Sequence, residues 1–348
     1  MRRCVAMAMR RRNDGIRASM SSLPYSIRRN RSKKPAVSSW IRRKTTATAE
    51  PPNIFEKEKD MGKLQRKVRD FYAKGLFEDA MNSAKDAEIM ALDIYGNEHP
   101  VYASCVNNRG IVYKSLGVYE DAVECFEKAA GVYYHSVGKE HRSTATTFHN
   151  LAMCYKAIAD GETGMKRLET LHQANVTFED ALEACTASLG PDHPTTALAA
   201  SGLAAVIRDL APSVETTVEE DKNLDKIERR EKDLSRAEGL LTNAMSSLET
   251  SERTSDSLAM ATVVNNLAYH YKFSGDDSRY KDAVTLYYRA IDIRSRKLSS
   301  CHPDTVAARS NLAELYLSMG KERESQDIQA SIIRDLKDSG VTVVEEGP

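Results

Sequence analysis

The stretch VYASCVNNRGIVYKSLGVYEDAVECFEKAAGVYYHSVGKEH, residues 101–141, decides the fold. Its apolar positions follow the 3.6-residue period of two amphipathic helices, and a linker follows the second helix. Its landmarks Ala122, Phe126, Ala129 and His141 are separated by 4, 3 and 12 residues. These offsets recur in four further sets, of which the last lacks the histidine: Ala80, Ala84, Ala87 and His99; Ala174, Phe178, Ala181 and His193; Ala283, Tyr287, Ala290 and His302; Ala237, Leu241, Ala244 and Asp256. Self-similarity at a period of roughly 20–50 residues indicates a solenoid.

The length of one unit is 42 residues, the distance from His99 to His141. The later distances of 52, 63 and 46 residues fit the same unit with insertions of 10, 21 and 4. We expect these insertions between the two helices of a unit, because connections absorb length at small entropic cost. Near residues 157–168 of the third unit, Gly161 and Gly164 favour a loop. Near residues 211–233 of the fourth, both charges are abundant, which favours a solvated extension of the second helix, with a docking surface as the alternative.

A small residue, followed three positions later by an aromatic or branched residue, marks the first helix of five units. The pairs are Gly110 and Tyr113, Ala152 and Tyr155, Ala204 and Ile207, Ala268 and Tyr271, and Ala313 and Tyr316. We expect the small residues to let the two helices of a unit approach closely. Pro100, Pro194 and Pro303 suit a first helical turn. Where proline is absent, Ser143 and the cluster Ser255, Asp256 and Ser257 are predicted to cap the helix.

These landmarks carry a resemblance to a known family. Together with NLAMCY, NLAYHY, NLAELY and LGPDHPTTA, they resemble the tetratricopeptide repeat, specifically the 42-residue variety of kinesin light chains. The resemblance covers about residues 62–335. It implies an all-α fold, an α-solenoid forming a right-handed superhelix of about six helix-turn-helix repeats. Two departures are Arg142 in place of a proline after His141 and Ser325 in place of an anchor alanine.

The formal net charge of zero combines a basic leader with an acidic remainder. Residues 1–49 contain 14 Lys and Arg against one acid, Asp14, whereas the remainder has 36 basic and 49 acidic residues. An Arg-rich, Ser-rich and acid-poor leader predicts an organellar transit peptide in residues 1–50. We expect import into mitochondria, with the matrix favoured, and a plastid or cytoplasmic location as the alternatives. We further expect a linker in residues 51–61, the solenoid in 62–335 and a tail in 336–348.

The sequence argues against a membrane span, an enzyme, a metal site and a cofactor. No run of 18 apolar residues occurs, which leaves no candidate transmembrane helix. The six cysteines include no C-x-x-C pair, and those on helices are predicted to be small buried thiols. The repeated histidine is predicted to be structural, because it recurs once per unit. Motifs for phosphate-binding loops, zinc proteases and serine hydrolases are absent.

The candidate site is the concave face, lined by the first helix of each unit. One position on this helix is repeatedly asparagine, and six residues later a cation recurs. The candidates are Asn108, Asn150, Asn266 and Asn311, with Lys114, Lys156, Arg208 and Lys272. The resemblance to kinesin light chains implies that such asparagines hold a peptide ligand, and the cations would favour acidic side chains in it. The alternative is that the asparagines bridge helices within the array and the cations solvate helix ends.

A different peptide-binding mode of tetratricopeptide repeats is a poor match. The carboxylate clamp that binds heat-shock proteins has asparagine directly after the small anchor. Here that position is occupied by other residues: Ile111, Met153, Ala205, Tyr269 and Glu314.

Three functions remain after these exclusions. The first is a non-enzymatic scaffold that is imported into an organelle through the import machinery. It would grip an extended segment of a partner protein, with assembly of a complex as one such role. The second is a cytosolic kinesin-type cargo adaptor, which is disfavoured because the basic leader stands where a heptad region is expected. The third is an organellar RNA-binding helical repeat. We expect no nucleic-acid partner, because the acidic body would repel phosphate.

Overall fold

The computed structural model describes residues 54–211, 220–250 and 252–339 of the 348-residue chain. The predicted transit peptide and residues 340–348 of the predicted tail lie outside these ranges. In the described part, all regular secondary structure is helical and forms six consecutive hairpins. The predicted all-α solenoid of six repeats is therefore confirmed.

Each hairpin consists of a first and a second helix. The hairpins are α1 (Ile54–Ala73) and α2 (Phe77–Tyr95); α3 (Pro100–Ser115) and α4 (Tyr119–Ser136); α5 (Arg142–Gly161) and α6 (Gly164–Leu189); α7 (Pro194–Leu210) and α8 (Glu220–Glu249); α10 (Leu258–Ser274) and α11 (Tyr280–Lys297); and α12 (Pro303–Ser318) and α13 (Glu322–Asp338). The single turn α9 (Glu252–Ser255) precedes α10, and a 3-10 turn (Asp277–Arg279) precedes α11. Every hairpin packs on the next one along the chain, and consecutive first helices also contact each other directly.

The repeated anchor residues lie in the interfaces between these helices. Ala122, Ala174 and Ala283 are fully buried, and so are the ring positions Phe126 and Tyr287. This equivalence confirms the register that the spacing predicts. Burying such rings removes a large apolar area from water, which contributes about 1.5–3 kcal/mol for each large side chain.

Close approach at small residues is visible at two glycines of the first helices. A Cβ atom on Gly110 of α3 would lie 2.9 Å from Cε1 of Phe126 in α4. A Cβ atom on Gly202 of α7 would overlap the ring of Phe178 in α6. The first contact joins the helices of one hairpin, and the second joins successive hairpins.

The repeated histidine has a structural role, because it caps the first helix that follows it. In four hairpins its Nδ1 atom accepts a hydrogen bond from the backbone N–H two residues later: His99 from Val101 at 3.2 Å, His141 from Ser143 at 3.2 Å, His193 from Thr195 at 3.1 Å and His302 from Asp304 at 3.2 Å. The predicted cap at Ser143 is therefore wrong, since its backbone donates to the true cap. The predicted cap from the serine cluster is confirmed at Ser257, whose Oγ accepts from the N–H of Met260 at 3.1 Å.

The predicted loop in the third unit is wrong, because the insertion lengthens both helices instead. Helix α5 ends at Gly161 and α6 begins at Gly164, so only Glu162 and Thr163 lie between them. The Glu162 carboxylate accepts hydrogen bonds from Thr170 Oγ1 at 2.7 Å and pairs with Lys166 at 2.8 Å, which fastens the short turn to α6.

Two other predicted boundaries also differ. Helix α1 begins at Ile54, so residues 54–61, predicted as linker, are helical. Lys57 pairs with Asp93 at 2.7 Å and Glu58 accepts from Tyr95 at 2.8 Å, which ties this part of α1 to α2. In the fourth unit, by contrast, residues 220–233 form the beginning of α8, as predicted for an extension of the second helix, and residues 212–219 of the insertion lie outside the described ranges. At the other end, α13 continues to Asp338, three residues into the predicted tail.

Candidate functional site

The first helices α3, α5, α7, α10 and α12 together form one surface, here called the first-helix face. All eight residues of the predicted peptide site lie on these helices. They form two rows, an asparagine row and a cation row, each of which follows the succession of hairpins. The structure shows what each row contacts within the chain.

The cation row joins each first helix to the first helix of the next hairpin. Lys114 Nζ of α3 donates a hydrogen bond to Asn150 Oδ1 of α5 at 2.6 Å. Lys272 of α10 pairs with Glu314 of α12 at 2.9 Å. These partners are 36 and 42 residues away in sequence, close to one repeat.

The two central members of the cation row make the same kind of contact. Lys156 of α5 pairs with Asp209 of α7 at 3.0 Å and also with Asp160 of its own helix. The Arg208 guanidinium of α7 lies over the ring of Tyr269 of α10, 4.5 Å from the ring centroid. All four cations therefore have a partner in the following hairpin.

The asparagine row takes part in the same bridging. Asn150 accepts from Lys114, and Asn266 Nδ2 of α10 donates to Ser201 Oγ of α7 at 2.8 Å. Asn108 and Asn311 are half-buried. The fourth hairpin has Gly202 at this position, where the adjacent Phe178 ring leaves no room for a side chain. These contacts fit the predicted alternative of bridging within the array, and a role in binding a partner stays a prediction.

The titratable groups around Lys114 are chemically quiet at neutral pH. Burial lowers the pKa of Lys114. Burial, with a smaller effect of Lys114, lowers the pKa of His149 to about 4, while burial raises the pKa of the Cys154 thiol to about 11. A neutral imidazole and a protonated thiol result. This cluster therefore lacks a thiolate nucleophile, which requires a lowered thiol pKa.

A third row on the first-helix face is apolar, and it was not predicted as part of the site. It is formed by the residue directly after each of the first four small anchors: Ile111, Met153, Ala205 and Tyr269. Met153 is 41% exposed, in the middle of the array, and Leu317 of α12 is 48% exposed on the same kind of helix. The sequence could have revealed this row, because the residue after the small anchor is uncharged in four of the five units.

Membrane-spanning helices and metal clusters are both absent from the described residues. No helix in residues 54–211, 220–250 and 252–339 is long and apolar enough to cross a membrane. Within the same residues, no group of three or more His, Cys, Asp or Glu side chains is placed to hold a metal ion.

Part of this chain matches a known protein family. Residues 102–160, which span α3, α4 and most of α5, match the tetratricopeptide repeat family. No curated protein sequence gives a significant match. Over these residues the predicted class is confirmed, and the tetratricopeptide repeat typically serves as a scaffold for protein interactions.

Several solved structures align with this chain at low sequence identity. A Podospora anserina structure with nearly identical kinesin-light-chain repeats is 19% identical, with 70% of this chain and 98% of that chain covered and a TM-score of 0.48. The BtubC (BKLC) structure from P. vanneervenii is 15% identical, with 84% and 95% covered and a TM-score of 0.49. The assembly chaperone of RpL4, Acl4, is 14% identical, with 81% and 92% covered and a TM-score of 0.49.

A double-mutant cycle on Lys114 and Asn150 tests whether the cation row stabilises the array. We expect Lys114→Met and Asn150→Ala to show a coupling energy of about 1–2 kcal/mol in the free energy of unfolding, because the hydrogen bond involves a charged donor in a largely buried place. The control is the exposed ion pair of Arg236 and Glu179, for which we expect less than about 1 kcal/mol. A coupling energy near zero for Lys114 and Asn150 would show that this pair does not stabilise the array.

Proposed function

We propose that this chain is a scaffold that holds a segment of a partner protein on the first-helix face. The observation that supports the proposal is the apolar row, since Met153 presents a large exposed side chain in the middle of a face whose polar neighbours are paired. Apolar side chains at the centre of a contact, surrounded by polar ones, are typical of protein interfaces.

The cation and asparagine rows flank this apolar row. In the proposed complex, Asn108, Asn150, Asn266 and Asn311 bind the main chain of an extended segment, because a side-chain amide both donates and accepts. Lys114, Lys156, Arg208 and Lys272 would have to exchange their present partners for acidic groups of the ligand. Such an exchange lowers the net gain in free energy, so the apolar contact supplies most of the affinity.

We further propose that the leader, residues 1–50, directs the chain into mitochondria, where it acts during the assembly of a protein complex. The support is the composition of the leader, with 14 Lys and Arg and one acid in residues 1–49. If the chain is imported, its partner would be a protein of the same compartment.

Substitution of Met153 tests the binding face. We expect Met153→Arg to reduce recovery of partners in a crosslinked pull-down about tenfold or more, because a buried unpaired charge opposes docking. The matched control is Ile89→Arg, which places the same charge at a residue of α2 that is 68% exposed. Both variants should keep the melting temperature of the parent chain, and RNase treatment should leave recovery unchanged. Equal recovery by both variants would contradict binding at this face.

The leader is tested separately. We expect a fluorescent reporter fused to residues 1–50 to accumulate in mitochondria, because positively charged amphipathic leaders are recognised for import. A fusion in which the eleven arginines of residues 1–49 are replaced by glutamine is the control and should remain in the cytosol. A cytosolic parent fusion would contradict import and favour the cargo-adaptor function.

A further inference from the structure

The junctions between hairpins share one chemical feature that the binding function does not use. Before α3, α5, α7 and α12, a histidine Nδ1 accepts the hydrogen bond that caps the helix, at 3.1–3.2 Å. An imidazole nitrogen accepts only through a free lone pair, so these histidines must be neutral with the proton on Nε2. Once Nδ1 is protonated, it becomes a donor that faces another donor.

We propose that protonation of the four histidine caps weakens the junctions between hairpins when the pH falls below neutral. Protonation removes a cap from four first helices. It also places a positive charge at each helix N-terminus, where the macrodipole is already positive. Because each repeat is held by its neighbours, the loss of four junctions acts on the whole array and on the face that it forms.

Each cap histidine lies beside different charged or aromatic groups. At His193, burial and then Arg142, at the start of α5, lower the pKa of the imidazole, which favours the neutral form that caps the helix. The His99 ring stacks on Tyr95 at 4.6 Å between centroids, and the Tyr95 hydroxyl donates to Glu58 of α1. The Asp304 carboxylate lies 3.9 Å from Nδ1 of His302. His141 lies between Glu140 and Arg142 in sequence, whose charges offset each other.

The fifth hairpin provides an internal control. Its cap is the hydroxyl of Ser257, which does not titrate in this range. The preceding Asp256 binds Arg296 and then Lys297, which lower its pKa to about 2, so it stays charged at pH 5.5. The start of α10 should therefore stay capped while the other four starts are released.

The sign of the effect follows from which form the folded state binds. A cap that needs neutral histidine contributes its stability above the ordinary histidine pKa of about 6.5, and this stability is lost as the pH falls below that value. Burial lowers the pKa values of His149 and His270 to about 4, so these two histidines also make the folded chain less stable as the pH falls. Their contribution is common to the parent chain and to any variant that retains them.

The test replaces the four cap histidines by asparagine in the full chain. Asparagine is a strong cap that does not titrate, so the variant should fold and keep its junctions. Between pH 7.5 and 5.5 we expect the melting temperature of the parent chain to fall further than that of the variant, by about 2 °C for each cap lost. The control variant His135→Asn and His172→Asn changes two exposed histidines outside the caps and should behave as the parent chain does. Equal acid responses of parent and cap variant would overturn the proposal.

A measurement on the unaltered chain tests the same proposal without a substitution. In nitrogen-15 spectra at pH 7.5, the imidazoles of His99, His141 and His193 should show an unprotonated Nδ1. On acidification to pH 5.5, the backbone amides that they cap should shift, while the amide of Met260 should not. A proton on Nδ1 at pH 7.5, or the same shift at Met260, would contradict the proposal.

Discussion

Close approach of helices at small residues is the constraint on which the rest of this structure depends. Ala122, Ala174 and Ala283 are fully buried at equivalent places, and Gly110 and Gly202 leave no room for a Cβ atom without movement of a ring. Each hairpin alone has little interior, so its apolar side chains are buried chiefly by stacking on the next hairpin. Helices held this close also bring successive first helices into contact, which creates the first-helix face.

The same proximity explains why most polar groups on that face have partners within the chain. Successive first helices are near enough for Lys114 to reach Asn150, for Asn266 to reach Ser201 and for Lys272 to reach Glu314. A partially buried polar group without a partner would cost free energy, so the array satisfies these groups before any ligand arrives. The apolar row is therefore the part of the face that a bound partner would stabilise most.

The sequence predicts the features of this chain that repeat, since repetition reveals which residues share an environment. The six hairpins, the buried anchors and the structural role of the recurring histidine follow from spacing alone. The cap itself does not, because the hydrogen bond from Ser143 to His141 depends on backbone geometry that the spacing does not encode. For the same reason the sequence wrongly predicts a cap at Ser143.

Features set by long-range contacts were predicted poorly. Residues 54–61 look like a linker in sequence, but Lys57 and Glu58 meet Asp93 and Tyr95, 36 and 37 residues away, and this part of α1 is helical. In the third hairpin the glycines stand at the ends of two lengthened helices, because α5 and α6 continue to pack on each other up to the turn. The partners of the cation row lie in the next hairpin, 36 or more residues away, so the sequence indicates their bridging role only as an alternative.

One comparison tests the central claim most directly, namely the free energies of unfolding of Gly202→Ala and Gly239→Ala. Both glycines lie inside helices, and a Cβ atom would overlap the Phe178 ring at Gly202 but meet nothing within 4 Å at Gly239. Close packing of hairpins predicts that Gly202→Ala loses about 1–3 kcal/mol, since overpacking outweighs the gain in helix propensity. Gly239→Ala should instead gain up to about 1 kcal/mol. A gain of stability at both positions would contradict the account.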